Sequence, residues 1–307
     1  MTESKIPAYN DGYNENGSDG IEEASDGYRF RKLSGRLMPP YVTPLRYAQS
    51  RDVQMLDSDI SFCSFPKSGS TWLSQILLLL INGGANPDKG TLRQHMIWME
   101  ASWPFPKSLD VVDSMESPRL FKSHMPIEMA LGGGPAKQAG KFIYIARNPK
   151  DVCVSYFHFE TEKAWAGNFN CSWDHWFERF ISGQVQRGSW FDHVVGWQRE
   201  IPSNLLLLTY EDLLLKFDNT VVKIAEFLGI KLTKKMLRQI EKNSSFDRMR
   251  ASEFANMHEV EQLGSFYRKG KIGSWKEHFS VSQNDRMDQL ISEHLHHVAF
   301  DFTYETD

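Results

Sequence analysis

Cysteine is scarce: the 307 residues contain only Cys63, Cys153 and Cys171, all in otherwise apolar or aromatic runs, with no CxxC and no Cys/His ligand spacing. That excludes a disulfide framework and a zinc-ribbon type of site, and reduced, buried thiols in a cytoplasmic protein without a metal are expected. Long apolar runs are missing too. The longest, Ile76 to Ile81, falls far short of the roughly 20 residues that cross a bilayer. The first residues show no basic stretch leading into an apolar one, so neither a signal peptide nor a membrane anchor is expected. Charge of one sign is not in excess, with 35 Lys+Arg against 39 Asp+Glu and a formal net charge of -4. Such a chain has no overall attraction for a polyanion, so nucleic acid is not an expected partner and any anion site is local.

No internal repeat and no linker-like stretch interrupts the middle of the chain, which favours a single domain large enough to bury a sizeable core. The exception is the beginning. Met1 to Gly27 is rich in Asp, Glu, Asn, Gly and Ser and poor in aliphatics, so residues 1–28 read as a disordered acidic tail ahead of a domain over 29–307. Arg29 to Arg51 carries Arg29, Arg31, Lys32, Arg36, Arg46 and Arg51 with no acidic residue. It reads as a solvated basic surface facing that tail, with a partner-binding patch as the alternative.

From Ile60 onward, short β-type apolar runs alternate with helical patterns. Ile60–Phe65 is a predicted strand feeding a helix over Ser70–Ile81; Arg119–Ser123 and Lys141–Arg147 are further strands, and Leu205–Tyr210 a fourth. A helix is expected after each strand. Asn148 and Pro149 suit the N-cap and first position of a helix running through Asp151 to Phe159, and Gly229 suits the C-terminal cap of Asp218–Leu228. This alternation implies an α/β fold, a central mostly parallel sheet flanked by helices on both faces.

Between the first strand and its helix lies Pro66-Lys67-Ser68-Gly69-Ser70-Thr71-Trp72. Loop amides and helix N-terminal N–H groups can converge there on an anion, with Lys67 as a point charge and Ser68, Ser70 and Thr71 as hydroxyl donors. The loop is P-loop-like without being GxxxxGK[ST], because Lys67 precedes the glycine; an NTP-dependent kinase or ATPase is therefore disfavoured. The segment Phe65 to Trp72 resembles the 5'-phosphosulfate loop of the cytosolic sulfotransferase family. Arg268-Lys269-Gly270-Lys271-Ile272-Gly273-Ser274-Trp275-Lys276 is similar to that family's RKGxxGxWK signature, and Tyr144 to Val152 running into Ser155-Tyr156 matches a third motif. The resemblance spans about Leu37 to Phe302.

The resemblance implies an enzyme that uses 3'-phosphoadenosine-5'-phosphosulfate (PAPS) as co-substrate and acts on a small-molecule hydroxyl or amine acceptor, phenolic, alcoholic or steroid-like. It places Arg147 and Ser155 on the 3'-phosphate, with Arg268, Lys269 and Gly270 closing over it. Trp72, Tyr210, Phe246 and Met249 are assigned to the adenine, and Ser244 to the adenine or the 3'-phosphate. Phe121 to Pro126 resembles the family's K[TS]HxP strand end, whose histidine is the general base. That makes His124 the base and Lys67 and Lys122 the electrostatic stabilisers; the two-residue spacing of Lys122 and His124 on an extended segment points both the same way.

The family's loop usually has threonine where this chain has Ser70, which keeps the hydroxyl. Residues 276–285 are a degenerate form of its KxxxTVxxxE dimer motif, with Ser280 for Thr and Asp285 for Glu. A homodimer through this segment is left open. So is the role of Trp98, Trp103, Phe105 and Phe159, which either belong to the core or line an aromatic acceptor pocket. Gly132-Gly133-Gly134-Pro135 is not expected to form a dinucleotide fingerprint, and His294, His296 and His297 are expected at the surface. The acceptor's identity is not readable from these motifs, and a nucleotide binder without catalysis is the non-enzymatic alternative.

Overall fold

The computed structural model describes residues 20–102, 106–162, 169–256 and 267–306. Its first elements are three short antiparallel strands, β1 (Ile21–Glu23), β2 (Arg29–Leu33) and β3 (Arg36–Met38), in the order β1-β2-β3. Ser34 and Gly35 both have positive φ (50° and 77°), as a two-residue hairpin joining β2 and β3 requires. Residues 21–28 therefore depart from the tail expected there. Tyr28 is fully buried edge-on to Phe169 and Trp176, and Asp26 accepts from Arg179 and His175 (both 2.5 Å). One aromatic anchor and one ion pair outweigh a polar average composition. The basic stretch is a solvated surface only in part: Lys32 is exposed, but Arg31 and Arg46 are buried, Arg46 Nε donates to the Ala101 carbonyl (3.3 Å), and Arg51 Nη1 donates to the Ala130 carbonyl (2.8 Å). These guanidiniums tie residues 20–51 to the body.

Helix α1 (Pro44–Asp52) is capped by the Thr43 hydroxyl, which accepts from the Arg46 amide. Strand β4 (Ile60–Cys63) then leads into α2 (Ser70–Ile81), and after α3 (Leu109–Asp113) come β5 (Leu120–Ser123), β6 (Lys141–Ala146) and α4 (Pro149–Glu162). No α-helix follows β5. Pro126, the Gly132–Gly134 run and Pro135 break that connection into three 3-10 turns. α4 starts as its sequence dictates, the Asn148 side chain accepting from the Asp151 amide (2.8 Å) with Pro149 in the first position. Helices α5 (Trp173–Ile181) and α6 (Trp190–Gln198) precede β7 (Leu205–Thr209). The chain then continues through α7 (Tyr210–Leu215), α8 (Phe217–Leu228), α9 (Lys234–Ser244), α10 (Phe246–Ala251) and α11 (Val281–Leu295), and Gly229 (φ 70°) ends α8 in the left-handed conformation.

The central sheet has the order β5-β4-β6-β7 with every pairing parallel. Period two sends alternate side chains to opposite faces. Cys63, Phe121, Phe142 and Tyr144 join a core with α4, α5, α6 and Met287 of α11, whereas Ile60, Phe62, Ile143 and Leu208 join one with α2, α8 and α9. Helices thus cover both faces. Because β5 lies on one side of β4 and β6 on the other, the chain reverses direction across the sheet at β4, and the crevice of such a fold opens at the strands' carboxyl ends.

Candidate active site

Every central strand ends in a residue that reaches this crevice. β4 runs into Pro66 and Lys67, β5 into His124, β6 into Arg147 and β7 into Tyr210, and all of these line one cavity of about 370 Å³. The cavity collects Lys67, Gly69, Ser70, Thr71, Trp72, Lys122, His124, Arg147, Ser155, Tyr210, Ser244, Phe246, Met249, Arg268, Lys269 and Gly270 from the sequence-predicted set. Ser68 is the exception. With left-handed backbone at Lys67 (φ 68°) and Gly69 (φ 96°) on either side, Ser68 is turned inward, fully buried and off the cavity wall.

The loop over α2 has the features of an anion cradle. Gly69 is the N-cap of α2 and supplies no side-chain cap, so the first-turn N–H groups are not consumed by one. A Cβ on Gly69 would come within 2.7 Å of Tyr210 Cδ2. Lys67 Nζ stands 4.4 Å from the Phe159 ring centroid.

At the end of β5, the orientation of His124 is fixed by the backbone. Its Nδ1 lies 2.8 Å from the Ser64 carbonyl oxygen; a carbonyl only accepts, so Nδ1 carries the hydrogen and Nε2 keeps the lone pair. The His124 amide donates to Glu100 Oε1 (3.1 Å), which also accepts from the Ser123 hydroxyl (2.9 Å). Burial, then the charges of Lys122 and Arg187, hold the His124 imidazole well below its ordinary 6.5. Lys122 lines the same cavity, as the two-residue spacing requires. Burial first, and Arg93 next, lower its ammonium to about 7.

The other end of the cavity is held by Asp151, fully buried on the first turn of α4. Its carboxylate accepts from the amides of Gly273 (2.9 Å) and Trp275 (3.1 Å), from the Ser274 hydroxyl (3.0 Å) and from Asn148 Nδ2 (3.0 Å), with Arg147 Nη2 at 3.6 Å. One side chain thus pins the glycine-punctuated loop whose Arg268, Lys269 and Gly270 reach the cavity. Arg147 lies over the Tyr210 ring at 4.4 Å and donates to the Lys271 carbonyl (2.8 Å). Beneath it, burial raises the Glu211 carboxyl to about 7 while its Oε1 accepts from the Asn148 amide and side chain. A Cβ on Gly270 would come within 2.6 Å of the Phe246 ring.

Trp72 stacks on Phe217 (6.1 Å, 20°) and meets Tyr210 edge-on, forming a flat aromatic wall. Pro39, Tyr41, Trp98, Tyr156, Phe159 and Glu160 line the same cavity, with Trp98 edge-on to His124 at 5.6 Å. Trp98 and Phe159 are therefore cavity residues as well as packed ones, whereas Trp103 and Phe105 lie outside the described residues. Motif reading did not find Phe217, Glu100, Ser64 or Glu160, and gave Asp151 no role. Glu160 alone left a signal: it falls four residues after Tyr156, an acid on the helix face that Val152, Cys153 and Tyr156 bury. Ser64 left none, since any residue has a carbonyl.

With this geometry in place, comparison with known proteins finds a match to the sulfotransferase domain over residues 57–299. The chain is 31% identical to human sulfotransferase 1C2 over 289 residues, covering 90% of this chain and 96% of that protein. It is 37% identical to human sulfotransferase 2A1 over 247 residues, covering 78% and 85%. The crystal structure of mouse sulfotransferase SULT7A1 complexed with PAP superimposes with a TM-score of 0.74 at 25% identity, covering 88% of this chain and 96% of that one.

Proposed function

Because the chain belongs to the cytosolic sulfotransferase family and is a transferase enzyme, we propose that it carries the sulfuryl group of PAPS to a hydroxyl or amine of a small phenolic, alcoholic or steroid-like acceptor, with His124 as general base. The observation that supports this reading best is the Nδ1–Ser64 hydrogen bond, which leaves Nε2 of a buried, neutral imidazole as the proton acceptor.

The residues fit the donor's chemistry. Gly69 leaves room that a Cβ would fill, the cradle sits on a helix N-terminus, and Lys67, Arg147, Arg268 and Lys269 give the cavity a positive lining for two separated anionic groups. In the reaction, the acceptor oxygen forms a bond to sulfur as the bond from sulfur to the bridging phosphate oxygen breaks. His124 Nε2 takes the acceptor's proton, and the bonding electrons leave on the phosphate, where Lys67 and Lys122 stabilise them. The Trp72 and Phe217 wall suits a purine face. Among the described residues no helix is long and apolar enough to cross a membrane; that the chain works in the cytoplasm is proposed from its membership of the cytosolic family. A transfer assay with labelled PAPS against phenols, sterols, amines and alcohols tests the reading. Binding of 3',5'-diphosphoadenosine without transfer to any of them would overturn it in favour of a catalytically inert binder, and tight ATP binding in its place would favour a kinase.

Two predictions concern the frame of this site. Gly69→Ala forces a left-handed φ of 96° on a residue with a Cβ and drives that Cβ into Tyr210. Strain and overpacking of about 1–3 kcal/mol each are expected to fall on the cradle, weakening 3',5'-diphosphoadenosine binding by at least about tenfold in calorimetry. Unaltered affinity would show that the loop adapts. The second concerns assembly. Residues 276–285 begin α11 with a capping box between Ser280 and Gln283, and Val281 beside it is 80% exposed. If this segment pairs two copies, Val281→Glu converts the dimer to monomer in sedimentation velocity; a monomeric parent chain sinks the idea.

A further inference from the structure

The charged groups around the cavity are mostly cations, including Lys67, Lys122, Arg93 and Arg147. Two carboxylates join them. Glu241 lies at the exposed rim, paired with Arg238 at 2.7 Å. Glu160 is different: it is 1% exposed, lines the cavity, and neither carboxylate oxygen has a hydrogen-bond partner. The hydroxyls of Tyr28 and Tyr156 are near enough to favour its ionised form, as is the Lys67 ammonium, but none sits in hydrogen-bond geometry with either oxygen. Both hydroxyls are engaged with Gln186, Tyr156 donating to the carbonyl (3.2 Å) and Tyr28 accepting from the amide (3.0 Å). Burying a carboxyl with no partner is costly, and a helix position between Phe159 and Thr161 has no geometric need of an acid. Around it, Tyr41, Tyr156 and Phe159 present aromatic rings on the cavity wall, surfaces that favour a cation.

We propose that Glu160 sets acceptor specificity by binding an alkylammonium group carried on the acceptor away from the hydroxyl that receives the sulfuryl group. The inference rests on the transfer reading for its geometry, with His124 and Lys122 marking the reacting end. An ammonium supplies up to three N–H donors to the two oxygens of Glu160 and a charge closer than that of Lys67, which acts on the carboxyl without bonding to it. A neutral acceptor of the same shape satisfies neither. There is also a proton to account for. Burial raises the Glu160 carboxyl to about 8, so at neutral pH it is mostly protonated in the empty site. An ammonium settling beside it favours the carboxylate, and the proton leaves to solvent.

The experiment uses the full chain loaded with 3',5'-diphosphoadenosine, with para-hydroxybenzylamine and tyramine as probes and para-ethylphenol and para-propylphenol as their uncharged isosteres. Calorimetry in buffers of different ionisation enthalpy is expected to show at least one amine binding about tenfold or more tightly than its isostere, with close to one proton released. In Glu160→Gln that advantage collapses and no proton is released. Equal binding of amine and isostere, no binding of either amine, or proton release that survives in Glu160→Gln would each overturn the proposal. Should the variant not fold, absence of proton release in the parent chain overturns it alone. Transfer from PAPS to the isosteres is measured separately, so its failure counts against the catalytic reading and the binding data still decide the role of Glu160.

Discussion

His124→Ala is expected to slow sulfuryl transfer by about 10²–10⁴-fold, the usual contribution of a positioned general base, while 3',5'-diphosphoadenosine binding stays within about threefold of the parent. The asymmetry follows from position. His124 lies at the end of β5, beside Lys122, Trp98 and the acceptor wall, whereas the cradle, Arg147 and the Arg268 loop come from other elements. Losing the imidazole leaves the Ser64 carbonyl without its donor, at a cost of about 1–3 kcal/mol, so melting is measured alongside. The same histidine fixes the sign of the pH dependence. A base works in its neutral form, and burial with Lys122 and Arg187 nearby holds this one well below 6.5. The acid limb of turnover should therefore lie beneath the ordinary imidazole range, while loss of the Lys122 charge near 7 makes turnover fall again on the alkaline side. An acid limb at or above 6.5, or retained turnover in the alanine variant, would remove His124 from the chemistry.

Asp151→Ala is expected to do the reverse, damaging donor binding and stability together. Its carboxylate holds two amides, a hydroxyl and the Asn148 side chain and faces Arg147, all out of water. Removing one partner of such a buried group costs about 3–5 kcal/mol. The loop bearing Arg268, Lys269 and Gly270 then loses its tether, and 3',5'-diphosphoadenosine affinity should drop by about 10²-fold. Urea unfolding and calorimetry read the two effects. If the alanine variant does not fold, Asp151→Asn, which keeps the shape and one acceptor oxygen, should show a smaller loss in both. Asp218→Ala is the control: its pair with Arg238 is exposed, and exposed, solvent-screened pairs add little to stability. Equal stability loss in Asp151→Ala and Asp218→Ala would mean that Asp151 is not the anchor.

The parts of the site that were legible in the sequence are those where function is written in contiguous residues. Phe65 to Trp72, Tyr144 to Val152 and Arg268 to Lys276 each carry their meaning within nine residues or so, because strand end, turn and helix start are local events. A sheet covered on both faces was also readable, since fully buried parallel strands leave unbroken apolar runs such as Phe142–Ala146. What escaped depends on distant pairing. Glu100 matters because Ile97 bridges to Phe121, setting the acid beside the end of β5, and nothing near residue 100 announces it. The helix expected after β5 failed because three glycines and two prolines act on the backbone more strongly than apolar spacing. Residues 21–28 escaped because composition averages over a window in which Tyr28 is a single letter.

The placement of Tyr28 has a consequence for how the chain divides its labour. The sulfotransferase-domain match begins at residue 57, and the cradle, the proposed base His124 and the Arg268 loop all lie within it. Tyr28, which stands behind Glu160, and Pro39 and Tyr41, which face the cavity, all precede it. Under the proposed reading, part of the acceptor wall thus lies outside the matched domain, so Pro39 and Tyr41 can be varied to shift selectivity without touching the residues assigned to the transfer step.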